Sequence, residues 1–135
     1  MTYVEATNSE FVALLKGLED VRNVKGTRFA FIVSKNIKEL TNHLRHIEEM
    51  AKPSPQFLEV SRKALEFAEA GNENGVKELE AAHPELIEER KQQIDKLTEM
   101  LNSTASVALE FLREDQLPED LTTDQLLPLL SLVKE

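Results

Sequence analysis

The longest helical repeat in the chain lies in the stretch KGTRFAFIVSKNIKELTNHLRHIEEM, residues 25–50. Its apolar positions alternate spacings of four and three residues, which places them on one face of a helix. They are Val33, Ile37, Leu40, Leu44, Ile47 and Ala51. Thr27 can cap the start of this helix, and Pro53 and Pro55 end it at Lys52. The stretch therefore predicts a long amphipathic helix whose apolar face packs against another helix.

A second helix is expected directly after this one. Ser54 can cap its start, and Gly71 can end it by taking a left-handed backbone conformation. We expect its buried side to consist of Phe57, Val60, Ala64, Leu65, Phe67 and Ala68. After the polar turn GNENG that Gly71 opens, residues 76–102 are again helical in pattern, with an interruption at Pro84.

Two short segments favour extended structure. Thr2–Ala6 contains β-favouring residues before any helical period begins, and residues 107–112 place apolar side chains at every second position. Because neither strand is stable alone, we expect the two to pair as a ribbon. Asn8 or Ser9 is expected to cap the helix that follows the first strand.

The expected fold class is mainly α, an elongated antiparallel helical hairpin or bundle with a small two-stranded ribbon. With 135 residues, the chain suits a single domain, residues 1–135. The seams of the hairpin are expected around Leu40, Leu44, Ile47, Ile87, Ile94 and Leu101. The last segment, residues 121–135, should be a Leu-rich helical tail, with Thr122 and Gln125 forming a capping box and Pro128 splitting it.

Composition and charge exclude several classes of function. The net charge of −9 disfavours nucleic acid and anionic membranes as partners. The absence of cysteine excludes disulfides, thiol catalysis and cysteine-based zinc sites. No apolar run approaches the roughly 20 residues of a spanning helix, and no signal-peptide pattern opens the chain. We therefore expect no membrane association and a cytoplasmic location.

The long helix carries a row of metal-ligand side chains, Glu39, His43, His46 and Glu49, at spacings of four, three and three. Carboxylates and imidazoles in such a row could bind a metal in a helical bundle. However, the four positions lie away from the apolar face of the helix, and no second Glu-x-x-His set is present. The stronger expectation is a solvated helix face, with metal binding as the alternative and no cofactor.

Six basic residues and one acidic residue lie between positions 21 and 46. The basic ones are Arg22, Lys25, Arg28, Lys35, Lys38 and Arg45. They could contact phosphates. In that case the protein would be a nucleic-acid modulator that uses Arg22, Lys25, Arg28 and Lys35. No aromatic residues that stack on bases accompany them in a suitable pattern. We expect instead that they aid solubility or match the acidic residues of positions 78–89.

The C-terminal tail has more leucine than one helix face can bury. The residues concerned are Leu126, Leu127, Leu129, Leu130, Leu132 and Val133. Two expectations stay open for them. The tail could fold over the helical core and be buried, or it could form an interaction surface for a protein partner or a second copy in a homo-oligomer.

Three stretches taken in order support a resemblance. They are KGTRFAFIVSKNIKEL, KPSPQFLEVSRKALEFAEAGNENG and LPEDLTTDQLLPLLSLV. The chain resembles small helical proteins of unassigned function encoded by tailed bacteriophages and prophages, which share a Pro-led second segment, an acidic Gly-containing turn and a closing Leu-rich helix. The resemblance implies a phage accessory or virion-assembly protein, present in the host cytoplasm or the virion, and no residue role.

No catalytic arrangement is recognisable in the sequence. There is no G-x-S-x-G turn, no Walker A motif and no G-x-G-x-x-G motif. The many carboxylates lie on polar helix faces, where nothing would shift their pKa toward neutrality. The sequence therefore predicts a non-enzymatic protein that functions by protein–protein interaction or self-association.

Overall fold

The computed structural model describes residues 2–134, which form a mainly helical structure with a small antiparallel ribbon, as predicted. The α-helices are α1 (Asn8–Asp20), α2 (Thr27–Ala51), α3 (Pro55–Glu69), α4 (Glu73–Ala82), α5 (Pro84–Asn102) and α6 (Thr123–Leu126). The strands are β1 (Thr2–Thr7), β2 (Thr104–Leu109), β3 (Leu112–Arg113) and β4 (Val133–Lys134). Two 3₁₀ helices cover Glu114–Gln116 and Leu127–Leu132.

The chain divides into two compact units. Unit 1 contains the residues up to His46 together with those from Leu101 onward, and unit 2 contains Ile47–Met100. The boundaries fall within α2 and near the end of α5. No helix in residues 2–134 is long and apolar enough to cross a membrane.

The ribbon of unit 1 pairs β1 with β2 in antiparallel register, from Thr2 opposite Leu109 to Thr7 opposite Thr104. The expected pairing of two short strands is therefore confirmed, but the second strand lies earlier than residues 107–112. The last residue of β2, Leu109, lies opposite Thr2, the first residue of β1. Leu112 belongs instead to β3, which pairs with β4 in parallel.

The α1 helix begins one residue earlier than expected. Its cap is Thr7, whose hydroxyl accepts a hydrogen bond from the Glu10 amide at 3.2 Å. The Glu10 carboxylate in turn accepts one from the Thr7 amide at 3.3 Å. This reciprocal capping box satisfies two backbone donors, so neither Asn8 nor Ser9 is the cap.

The core of unit 1 is formed by side chains from α1, α2, β2, β3 and the C-terminal 3₁₀ helix. Those less than 2% exposed and apolar are Phe11, Leu18, Val21, Phe29, Ile32, Val33, Leu40, Leu109, Leu112, Leu129 and Leu132. Burial of large apolar side chains provides the main favourable term in folding, on the order of 1.5–3 kcal/mol each. This well-packed core holds the ribbon and the C-terminal segment against the helices.

Unit 2 contains α3, α4 and α5, and α4 begins at Glu73, inside the polar stretch 71–75 that was expected to be a turn. The Ser54 hydroxyl caps α3 by accepting from the Phe57 amide at 3.2 Å, and Gly71 takes a left-handed φ of 73° just after that helix. Asn72 caps α4, accepting from the Gly75 amide at 3.0 Å. The Arg90 guanidinium donates to the carbonyl of Ala51 at 3.1 Å, which joins α5 to the end of α2.

The buried faces expected in unit 2 are only partly formed. Among the six α3 residues expected inside, Val60 alone is buried, while Leu65 is 60% and Phe67 37% exposed. On α5, none of whose residues is buried, Ile94 is 45% exposed. The seam residues Leu40, Leu44 and Ile47 are buried as predicted, whereas Ile87 and Leu101 are half-buried. The predicted seam is therefore correct for α2 and wrong for Ile94.

Candidate interaction surfaces

The candidate metal row on α2 contains one side chain with a clear structural partner. The ring nitrogen Nε2 of His43 lies 2.8 Å from Oδ1 of Asn8, the first residue of α1. The His43 ring also meets Phe11 edge to face, with ring centroids 5.6 Å apart. Since this imidazole is half-buried between α1 and α2, the expectation that it faces solvent was wrong.

The other members of that row are less enclosed. Glu39 is half-buried, and His46 and Glu49 are exposed. Within residues 2–134, no three side chains of histidine or carboxylate type come close enough to hold a metal ion. In the part of the chain that the structure describes, no metal-binding cluster therefore forms from Glu39, His43 and His46.

One residue of the basic run, Lys35 on α2, has an acidic partner that was not predicted from the sequence. The Lys35 ammonium lies 3.5 Å from a carboxylate oxygen of Glu110, which follows β2. The same ammonium is 5.1 Å from the centre of the Phe31 ring. Arg45 donates to Asn42 at 2.9 Å within the helix. The ion pair of Lys35 thus lies within unit 1, not with residues 78–89.

Two other residues of the run, Lys25 and Arg28, line an open cavity of about 550 Å³ before and within the first turn of α2. Phe29 and Arg113 also contribute to its walls. The Arg113 side chain already pairs with Asp115 at 3.2 Å. The cavity is therefore positively charged on balance, and one of its three cations has a carboxylate partner.

The Leu-rich tail is divided between buried and exposed positions. Leu129 and Leu132 are fully buried, whereas Leu127 is 56% and Leu130 is 52% exposed. The remaining two residues, Leu126 and Val133, are half-buried. The tail is thus anchored in the core of unit 1 and presents two leucines to solvent.

A close helix contact explains how the tail is anchored. Gly17 of α1 is buried, and a Cβ atom at this position would lie 2.5 Å from Cβ of Pro128 and 3.7 Å from the Leu129 side chain. Only glycine leaves room for the 3₁₀ helix to approach α1 so closely. The pair of Gly17 and Pro128 was not recognised from the sequence, because the two residues are far apart in the chain.

Unit 2 carries an apolar stripe on α3 formed by Leu58 and Leu65, which are 53% and 60% exposed. At about 100° per residue, positions seven apart lie on the same side of a helix, and Val60 lies roughly opposite them. Val60 is buried, and α3 packs on α4. The helix therefore has a covered apolar side and an uncovered one, and we call the uncovered pair the α3 stripe.

An ion-pair network flanks the α3 stripe. Arg62 bonds to the carboxylates of Glu59 and Glu66, one turn away on either side. The hydrogen bond and positive charge of Arg62 lower the pKa of Glu59, and Glu59 correspondingly raises the pKa of Arg62. All three side chains are exposed, so the network orders the polar border of the stripe more than it stabilises the fold.

A buried side chain of α2 bonds to the backbone directly after β2. Asn36 of α2 is fully buried. Its amide group donates to the Glu110 carbonyl at 2.8 Å and accepts from the Glu110 amide at 2.8 Å. The sequence reading missed this residue, although its position among Val33, Ile37 and Leu40 on the apolar face of α2 was a usable signal.

Along β1 lies a groove of about 310 Å³. Its walls include Val4, Glu5 and Ala6 of β1, Glu10 and Leu14 of α1, and Ser131 of the C-terminal 3₁₀ helix. The groove is thus lined by the ribbon, the first helix and the anchored tail within unit 1.

Comparison of the chain with protein-family models, with curated proteins and with solved structures found no match.

Proposed function

We propose that the protein is a non-enzymatic interaction protein that binds another protein through the α3 stripe. The observation that carries the proposal is the exposure of Leu58 and Leu65, more than half each, opposite the covered side of their helix. Large apolar side chains aligned on a helix and bordered by charged residues form the usual anchor of a helix-mediated interface. The ion pairs of Arg62 hold the polar border of this surface in place.

The small number of buried side chains in unit 2 supports the same function. Its helices bury few large side chains, namely Ile47 and Val60 among the apolar ones. Covering the α3 stripe would remove further apolar area from water, at about 25 cal/mol per Å². A partner protein, or a second copy of this chain, would therefore stabilise unit 2 as it binds.

The biological setting proposed here rests on the sequence resemblance alone. Small helical proteins of tailed phages and prophages share the layout of the three stretches quoted above. We accordingly propose that the chain is a phage accessory or virion-assembly protein that acts in the host cytoplasm or the virion. In such a role the α3 stripe would hold one component of an assembly.

The experiment compares the full chain with the double variant Leu58→Glu and Leu65→Glu. Light scattering over a range of concentrations measures self-association, and fluorescence of an anilinonaphthalene sulfonate dye measures accessible apolar surface. We expect the unmodified chain either to associate or to bind the dye, and the variant to lose that behaviour. Gln56→Glu is the matched control, because it adds a carboxylate to an exposed position of the same helix without removing apolar surface.

Two results would overturn the proposal. The unmodified chain could be monomeric and bind no dye, in which case the stripe is too small to act as a binding surface. Alternatively, the double variant could behave like Gln56→Glu, in which case the apolar surface lies elsewhere. Circular dichroism of each variant establishes that its helices are retained.

A further inference from the structure

The two edges of the ribbon differ in what covers them. The Asn8 amide donates to the Ser103 carbonyl at 3.0 Å, one step beyond the Thr7–Thr104 pair. In an antiparallel ladder, alternate residues direct both backbone groups toward the partner strand. Even-numbered residues of β1 therefore face β2, whereas Tyr3, Glu5 and Thr7 direct their backbone groups to the other side. The direction of the Thr7 amide is consistent with this assignment, because it donates to the Glu10 carboxylate on α1 and not to β2.

Directly after β2, on the side of its outer edge, a side chain forms the two hydrogen bonds that a residue of a neighbouring strand would form. Asn36 forms one donated and one accepted hydrogen bond with the backbone of Glu110, as a paired strand residue would. The outer edge of β1 has no such partner strand within residues 2–134. Its sequence, TYVEAT, contains neither the proline nor the lysine that commonly protects an edge from pairing, and Glu5 is its one charged residue.

The groove beside β1 follows this open edge. Val4, Glu5 and Ala6 are consecutive and all line it. Successive side chains of a strand point to opposite faces, so a cavity that touches three in a row approaches the strand from its edge. Since β2 occupies the other edge, the groove lies where an added strand would run, with Leu14 and Pro128 among its apolar walls.

The charges along the groove indicate the kind of segment that fits. Glu5 and Glu10 both line it and are exposed, and the chain as a whole carries a net charge of −9. From Tyr3 to Ala6, exposed Tyr3 and Glu5 alternate with half-buried Val4 and Ala6, and at the two ends of β1 Thr2 is exposed and Thr7 half-buried. An added strand would meet the same alternation, with apolar residues on the covered face and basic residues near the carboxylates.

We propose that the free edge of β1 binds an extended, basic segment of a partner protein by strand addition. Backbone hydrogen bonds to Tyr3 and Glu5 provide the pairing, and the carboxylates of Glu5 and Glu10 select for lysine or arginine. A second copy of β1 fits less well, because it would bring another Glu5 and no basic residue to the edge. This site lies in unit 1, is separate from the α3 stripe, and does not depend on it.

The test uses the full ¹⁵N-labelled chain and a capped heptapeptide probe of alternating lysine and valine. We expect the probe to shift the NMR amide signals of Tyr3, Glu5 and Ser131. A matched probe of alternating glutamate and valine should bind at least about tenfold more weakly, because its charges repel the groove. A lysine and valine probe N-methylated at alternate residues should also lose about tenfold in affinity, because it keeps the charges but lacks the pairing donors.

Variants of the chain make the test specific for the edge. Glu5→Pro removes an amide that points away from β2, a position where an edge strand tolerates proline, and it should weaken binding at least about tenfold. Ser106→Pro is the matched control, because Ser106 lies opposite Glu5 in the register and directs its amide to the other edge. Glu5→Gln keeps the amide and removes the charge, and it should have an intermediate effect.

Several outcomes would overturn the proposal. They are no shifts at β1 with the probe at saturating concentration, shifts confined to unit 2, or equal binding by Glu5→Pro and Ser106→Pro. A dimer that Glu5→Pro dissociates would assign the edge to a second copy instead. If Glu5→Pro fails to fold, the N-methylated probe still decides whether backbone pairing is required.

Discussion

The buried side chain of Asn36 pairs with the backbone of Glu110 as a neighbouring strand would, through two hydrogen bonds of 2.8 Å. It joins α2 to the end of β2 and satisfies two backbone groups of the half-buried Glu110. A buried polar group without a partner destabilises a fold by about 1–3 kcal/mol. The pair therefore positions the end of β2 on α2 and stabilises it there.

Asn36→Ala should lower the free energy of unfolding by about 2–4 kcal/mol, because it leaves both backbone groups of Glu110 without partners. Urea unfolding followed by circular dichroism measures the change. Asn42→Ala is the matched control, since Asn42 is an exposed asparagine on the same helix, and it should alter stability by less than about 0.5 kcal/mol. Equal effects of the two substitutions would contradict the role assigned to Asn36.

Gly17→Ala should lower the free energy of unfolding by about 1–3 kcal/mol, because the added methyl group overlaps Pro128. This effect opposes the gain of about 1 kcal/mol that alanine normally brings to a helix interior. In the double variant Gly17→Ala and Pro128→Gly, the clash is removed, and the alanine should no longer destabilise relative to Pro128→Gly alone. A stabilising Gly17→Ala would show that the tail does not approach α1 this closely.

Leu44→Ala should lower the free energy of unfolding by about 2–5 kcal/mol, since Leu44 is 4% exposed and its removal leaves a cavity. Ile94→Ala removes a similar side chain from α5, but it should have an effect below about 1 kcal/mol, because Ile94 is 45% exposed. Chemical unfolding of the two variants under identical conditions compares them. A loss below half a kcal/mol for Leu44→Ala would contradict the buried face of α2.

His43→Ala should lower the free energy of unfolding by about 1–2 kcal/mol, because it removes the hydrogen bond to Asn8 and the contact with Phe11. His46→Ala should leave stability within about 0.5 kcal/mol of the original, since His46 is exposed. Metal analysis of the purified chain separates this structural role from metal binding. Stoichiometric zinc, iron or manganese lost in both variants would favour the metal site instead.

Arg62→Gln should raise the pKa of Glu59 toward its ordinary value, because Arg62 is the main cause of the lowered pKa. A pKa that is lower in the folded state means that the interaction stabilises the fold above the ordinary glutamate pKa of about 4.3. That contribution is lost as the pH falls through the lowered value. NMR titration of the Glu59 carboxyl group measures the pKa, and an unchanged value would refute the pairing.

Local signals predicted much of the fold, because they depend on neighbours in the sequence. The Ser54 cap, the left-handed Gly71, the break at Pro84 and the capping box of Thr122 with Gln125 are all confirmed. The cap of α1 was misplaced by one residue, since three adjacent polar residues can each accept from a helix amide. Here the partner Glu10 was the deciding residue.

The candidate surfaces were harder to predict, because helical periodicity reports which side is apolar but not what covers it. Leu65 and Ile94 fit the expected buried faces and are exposed. Of the five tail leucines that suggested a docking segment, Leu129 and Leu132 are fully buried, and Leu127 and Leu130 are exposed. The open edge of β1 follows from register and tertiary packing, which only the folded chain defines.

The pairing of β1 with β2 also has a consequence for synthesis on the ribosome. Thr2 is synthesised before unit 2 and its partner Leu109 after all of unit 2, and the buried Leu129 and Leu132 come later still. Contacts between distant parts of a chain form late, because a long loop must close first. The nascent chain therefore exposes an unpaired β1 until the residues that follow unit 2 have been made, while the helices of unit 2 can form as they emerge.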